Sequence, residues 1–90
     1  MRVALICIDK PDALQIRLDT RTAHLAHIEK TGMVELAGPF LNSDGQMTGS
    51  LIILSVDTLV DAQNWAMSDP YSLAGLFQSV TITEWKKVIG

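Results

Sequence analysis

The sequence predicts an α+β fold in which four strands and two helices follow the order β-α-β-β-α-β. Three observations predict it. Short runs rich in Val, Ile and Leu open the chain and recur near residues 33–40, 47–56 and 78–88. A long helix-compatible stretch separates the first run from the second, and a shorter one separates the third from the fourth. An Asn42-Ser43-Asp44-Gly45 turn joins the middle two.

Arg2 to Ile8 reads as the first strand, stopped by Asp9-Lys10-Pro11. Pro11 and Asp12 suit a helix start, because proline at the first position loses no needed donor. The helix then runs from about Asp12 to Thr31, with a break near Asp19-Thr20. Gly32 ends it in the left-handed conformation. Leu14, Leu18, Leu25 and Ile28 form its expected apolar stripe at about 100° per residue. Met33 to Phe40 and Met47 to Val56 are the two hairpin strands, with Leu51 to Leu54 the most buried part. Asp57 is the expected cap of a second helix, Thr58 to Met67, whose apolar face is Leu59, Ala62 and Ala66 with Trp65 beside it. Asp69-Pro70 ends that helix, since a residue before proline leaves the helical region. A short helical turn is expected at Tyr71 to Gly75. Gln78 to Val88 alternates Val80, Ile82 and Trp85 with polar residues, as a half-buried last strand does. This order is the split β-α-β, or ferredoxin-like, arrangement: one antiparallel sheet with both helices on one face.

Ninety residues make one domain with a modest core. Yet 48% of them are apolar. That surplus predicts a homodimer built by packing two open sheet faces together, with further association left open. The net charge of -3 excludes a basic nucleic-acid footprint. No apolar run approaches the roughly 20 residues of a membrane-spanning helix, and Asp9 and Lys10 come too soon for a signal peptide. The single cysteine, Cys7, has no internal disulfide partner and sits in an apolar run as an inert thiol. A reducing cytoplasm fits these features.

There is no Gly-rich phosphate loop, no nucleophile elbow and no Cys/His set with zinc spacing. No metal and no cofactor are therefore expected. The polar residues at element ends are Asp9, His24, Ser50, Asp69 and Tyr71, with His27 nearby. His24 lies about 40° from Ile28 on the helical wheel, at the margin of the stripe, whereas His27 lies about 100° away, toward solvent. A half-buried His24 suits proton transfer; the plainer reading is a satisfied boundary histidine. Asp69 is either a carboxylate that orients an imidazole or a turn residue before proline. Tyr71 and Asp9 have plainer readings too, as a packing aromatic and a turn former.

Arg21-Thr22-Ala23-His24-Leu25, Ala37-Gly38-Pro39 and Thr48-Gly49-Ser50 resemble the YCII-related family. So do Ala62-Gln63-Asn64-Trp65-Ala66, Asp69-Pro70-Tyr71, Ala74-Gly75-Leu76-Phe77 and Trp85-Lys86-Lys87-Val88. The resemblance spans nearly the whole chain. The Arg-x-x-His-Leu and Asp-Pro-Tyr segments together give it specificity. Threonine stands at position 22, where the family often has proline, and the Leu41 to Met47 loop is short for the family.

The resemblance implies a dimeric α/β barrel of ferredoxin-like subunits, similar in fold to muconolactone isomerases. The family includes a dehydrochlorinase acting on a chlorinated hydroxyhydroquinone. Its histidine and aspartate carry over onto His24 and Asp69. The implied function is a cofactor-independent lyase or isomerase of small molecules, with His24 as general acid/base and Asp69 orienting it. Ser50, Tyr71 and Asp9 would bind the substrate. The alternative is a non-catalytic module for small-ligand binding or assembly. A His24–Asp69 contact facing a cavity favours the enzyme; one sealed in the core favours the module.

Overall fold

Strand β1 (Arg2–Asp9) runs through the middle of a four-stranded antiparallel sheet in the computed structural model, which describes residues 1–90. Helix α1 (Leu14–Thr31) leads to β2 (Val34–Leu41). The hairpin then inserts β3 (Met47–Ser55) between β1 and β2. Helix α2 (Leu59–Ser68) and the one-turn α3 (Pro70–Leu73) return the chain to β4 (Phe77–Trp85), which pairs with the other side of β1. The sheet order β2-β3-β1-β4 is that of the expected ferredoxin-like fold.

The period of two divides the sheet. Val3, Leu5 and Cys7 point to the helices, opposite Leu54, Ile52 and Ser50. With Val56, Ala62, Trp65 and Ala66 most of them form the main core. Burying each large aliphatic side chain here is worth about 1.5–3 kcal/mol. Ala4, Ile6 and Ile8 share the opposite face with Leu51 and Ile53. On that face Ile8, Leu36 and Trp85 stand exposed. Gly49 in β3 has no room for a side chain beside β1: a Cβ there would run into the Cys7 carbonyl oxygen.

Several local expectations are corrected. Helix α1 starts at Leu14 because Asp12 takes a left-handed φ of 57°, so Pro11 and Asp12 form a turn. Asp19 and Thr20 do not interrupt it. Gly32 does end it as expected, with φ 64° and its amide donating to the Ile28 carbonyl at 3.3 Å. Thr58, not Asp57, caps α2: its hydroxyl accepts from the Asp61 amide while the Asp61 carboxylate accepts from the Thr58 amide. Leu59 is exposed; Ala62, Trp65 and Ala66 face the core. The last strand ends at Trp85, opposite Arg2, on the face away from the helices.

The buried side of α1 is the largest correction. Leu18 and Leu25 are 49% and 43% exposed, and the buried residues are Arg17 and His24. Leu14, Arg17, Arg21, His24, Ile28 and Thr31 recur at alternating spacings of three and four, a single helical face. Leu18 and Leu25 lie past its edge, about 90° and 70° from its centre. His27 is half-buried rather than solvated, because α2 brings Trp65 against it at 4.7 Å between ring centroids. Its Nε2 is buried without a partner.

Candidate active site

Three segments converge on the polar face of α1. The end of β1 brings Asp9, β3 brings Ser50, and the junction of α2 with α3 brings Asp69 and Tyr71. The junction is shaped by Pro70. Asp69 before it is extended, at φ -60° and ψ 126°, and its Oδ1 accepts from the Tyr71 amide at 3.0 Å. The expected turn residue is thus the cap of α3 as well.

The same Oδ1 lies 2.8 Å from His24 Nδ1, and both residues are buried, Asp69 to 1% and His24 to 6% exposure. An ionised carboxylate only accepts, which places the ring hydrogen on Nδ1 and the lone pair on Nε2. Nε2 has no partner within the chain and is not sealed off, since His24 lines a cavity of about 190 Å³. The Tyr71 ring stacks on the imidazole at 4.0 Å and 17°, holding its plane.

Arg17 fixes the other side. Its Nε and Nη2 donate to the two Asp9 oxygens, both at 2.8 Å, and Nη2 also donates to Ser50 Oγ at 3.0 Å. Burial pulls the guanidinium down, but the Asp9 hydrogen bonds and charge outweigh it and hold it above its ordinary value. Its Cζ lies 4.8 Å from the Tyr71 ring centroid. Ser50 accepts from Arg17 and so keeps its own hydroxyl hydrogen to donate. Burial pushes the Tyr71 phenol up against the opposing pull of Arg17 and Arg21, so it stays a neutral donor at physiological pH. Burial also pushes the Cys7 thiol up to about 12, in keeping with the inert thiol expected.

His24, Ser50 and Tyr71 line one cavity, with Asp69 behind His24. Asp9 does not line it. The Asp9 carboxylate is taken up by Arg17, although the residue also borders a larger open cleft beside the hairpin turn. Arg17 had no place among the expected residues. Its signal was its spacing, seven residues before His24 and so on the same helical face. No group of three or more His, Cys, Asp or Glu side chains is placed to hold a metal ion.

The fold and this geometry define an α+β protein of ferredoxin-like type with a buried His–Asp pair beside a small cavity. The chain belongs to the YCII-related family, whose model matches residues 1–86. It is 38% identical over 89 residues to the protein YciI of Escherichia coli O6:H1, covering 89% of this chain and 91% of that one. A Haemophilus influenzae protein is 32% identical over 97 aligned positions, covering 98% and 99% of the two chains. Among solved structures, 5-chloro-2-hydroxyhydroquinone dehydrochlorinase from Burkholderia phenoliruptrix AC1100, bound to 2,5-dihydroxybenzoquinone, superposes with a TM-score of 0.88. The identity is 32%, over 96% of this chain and 94% of the other.

Proposed function

We propose that the protein is a small-molecule lyase or isomerase in which His24 Nε2 moves a proton and Asp69 holds the imidazole. The observation that carries this reading is the 2.8 Å contact between His24 Nδ1 and Asp69 Oδ1 with the opposite ring nitrogen left free beside a cavity. Nε2 takes a proton from the substrate. The electron pair released forms a double bond, and either the proton returns at another atom or a leaving group departs with its own pair. A positioned base of this kind contributes about 10²–10⁴-fold. Asp69 stabilises the imidazolium formed on the way. Ser50 and Tyr71 supply hydrogen-bond donors to a phenolic or carbonyl oxygen, while Asp9 acts through Arg17. The likeness to a dehydrochlorinase that binds a dihydroxybenzoquinone supports this chemistry.

The working unit in this reading is a homodimer in the cytoplasm. The apolar face holding Ile6, Leu36, Leu51 and Ile53 supports the dimer. The lone buried thiol suits a reducing compartment. No helix is long and apolar enough to cross a membrane.

The test is a screen of lactones, catechols and halogenated hydroquinones against wild type, His24→Ala and Asp69→Asn. Turnover by wild type, lost in His24→Ala and weakened less in Asp69→Asn, is the expected result. A folded wild type that turns over nothing favours a ligand-binding module instead.

A further inference from the structure

The cavity beside His24 holds a cation with no counter-charge. Two arginines line it, both from α1. Arg17 is matched by Asp9. Arg21 forms no ion pair and no hydrogen bond within the chain, and no carboxylate lines the cavity. Arg21 precedes His24 by three residues and so stands on the neighbouring row of the same face. Tyr71, whose phenol feels the Arg21 charge, lines the same cavity. The remaining wall is largely apolar, including Ile28, Pro39, Met47 and Ile52.

We propose that Arg21 is the specificity residue of this cavity and that its ligand is a single-ring molecule bearing an anionic oxygen, a carboxylate, phenolate or enolate. The inference rests on the reading of this cavity as the substrate site. About 190 Å³ limits the ligand to one ring or its acyclic equivalent. The apolar walls take the ring, and the guanidinium takes the oxygen through paired N–H donors. Arg21 itself is exposed, so water screens part of that attraction and the preference it gives is modest. The placement also suits proton transfer: as His24 removes a proton, negative charge grows on a substrate oxygen, and a cation on the cavity wall stabilises it.

The experiment titrates the full-length protein with benzoate and with its neutral analogue benzamide, following amide shifts by NMR. Benzoate is expected to bind wild type about tenfold more tightly than benzamide, a difference of about 1.4 kcal/mol. Arg21→Gln should bring benzoate down to the level of benzamide and leave benzamide unchanged, while Arg21→Lys restores part of the preference. Added salt should weaken benzoate alone. Equal binding of the two probes to wild type, no binding of either at millimolar concentration, or an unchanged preference in Arg21→Gln overturns the proposal. A wild type without turnover that keeps the tenfold preference sinks the lyase reading and sustains the anion site. A wild type with turnover but no preference does the reverse.

Discussion

His24 Nδ1 and Asp69 Oδ1 meet at 2.8 Å across 45 residues of sequence, and the same oxygen accepts the Tyr71 amide. One carboxylate oxygen therefore ties α1 to the cap of α3. Asp69→Asn keeps an acceptor oxygen for both donors, whereas Asp69→Ala leaves Nδ1 unsatisfied and the helix uncapped. Asp69→Ala should cost about 1–3 kcal/mol for the orphaned donor, with about 1 kcal/mol more for the cap. Asp69→Asn should cost clearly less. Urea denaturation of the three proteins decides it, and equal losses for Asn and Ala would remove the acceptor role.

The Arg17–Asp9 pair is buried on both sides, at 3% and 6% side-chain exposure, and bonded through two nitrogens. Removing one partner strands a charge. Arg17→Met should therefore cost about 3–5 kcal/mol, and Asp9→Leu a similar amount. The double variant should lose much less than the sum, because no charge remains to desolvate. A double-mutant cycle on denaturation midpoints reads the coupling. Additive losses would mean that the two side chains do not stabilise each other.

Alkaline pH should weaken the fold with a predictable sign. The Cys7 thiol rises from 9.0 to about 12 on folding, and the Tyr71 phenol also rises. Between these values the unfolded chain has released the Cys7 proton and the folded chain has kept it. The stabilisation is complete below pH 9.0 and is lost as pH climbs toward about 12. Cys7→Ala should flatten part of this slope and leave the Tyr71 share. Denaturation midpoints taken at intervals from neutral pH upward test the sign, and an identical slope in both proteins contradicts it.

The open sheet face makes a prediction about mass. Light scattering should give about twice the 9.8 kDa of one chain. Leu36, 52% exposed on that face, is the place to break the assembly. Leu36→Glu leaves the carboxylate solvated in a lone chain and buries it unpaired in a sheet-to-sheet dimer, so it should yield the single-chain mass. A monomeric wild type rules out the barrel.

The order of elements was legible in the sequence because it rests on short-range physics. Alternating apolar residues fix which face of a strand is buried, Gly32 stops a helix, and Asp69-Pro70 separates two. The histidine and aspartate of the candidate site could also be named, on the strength of two matching segments. Their meeting was not legible, since nothing local requires residues 45 apart to touch. The buried face of α1 was misread for a related reason. Periodicity marks a face as buried only where its residues are apolar, and here Arg17 and His24 are buried because Asp9, Ser50 and Asp69 satisfy them. His27 likewise left solvent only because α2 laid Trp65 against it. Sequence determined which elements form and in what order. Tertiary structure alone decided which charges meet, because burying a charged group costs least where the rest of the fold delivers its partner.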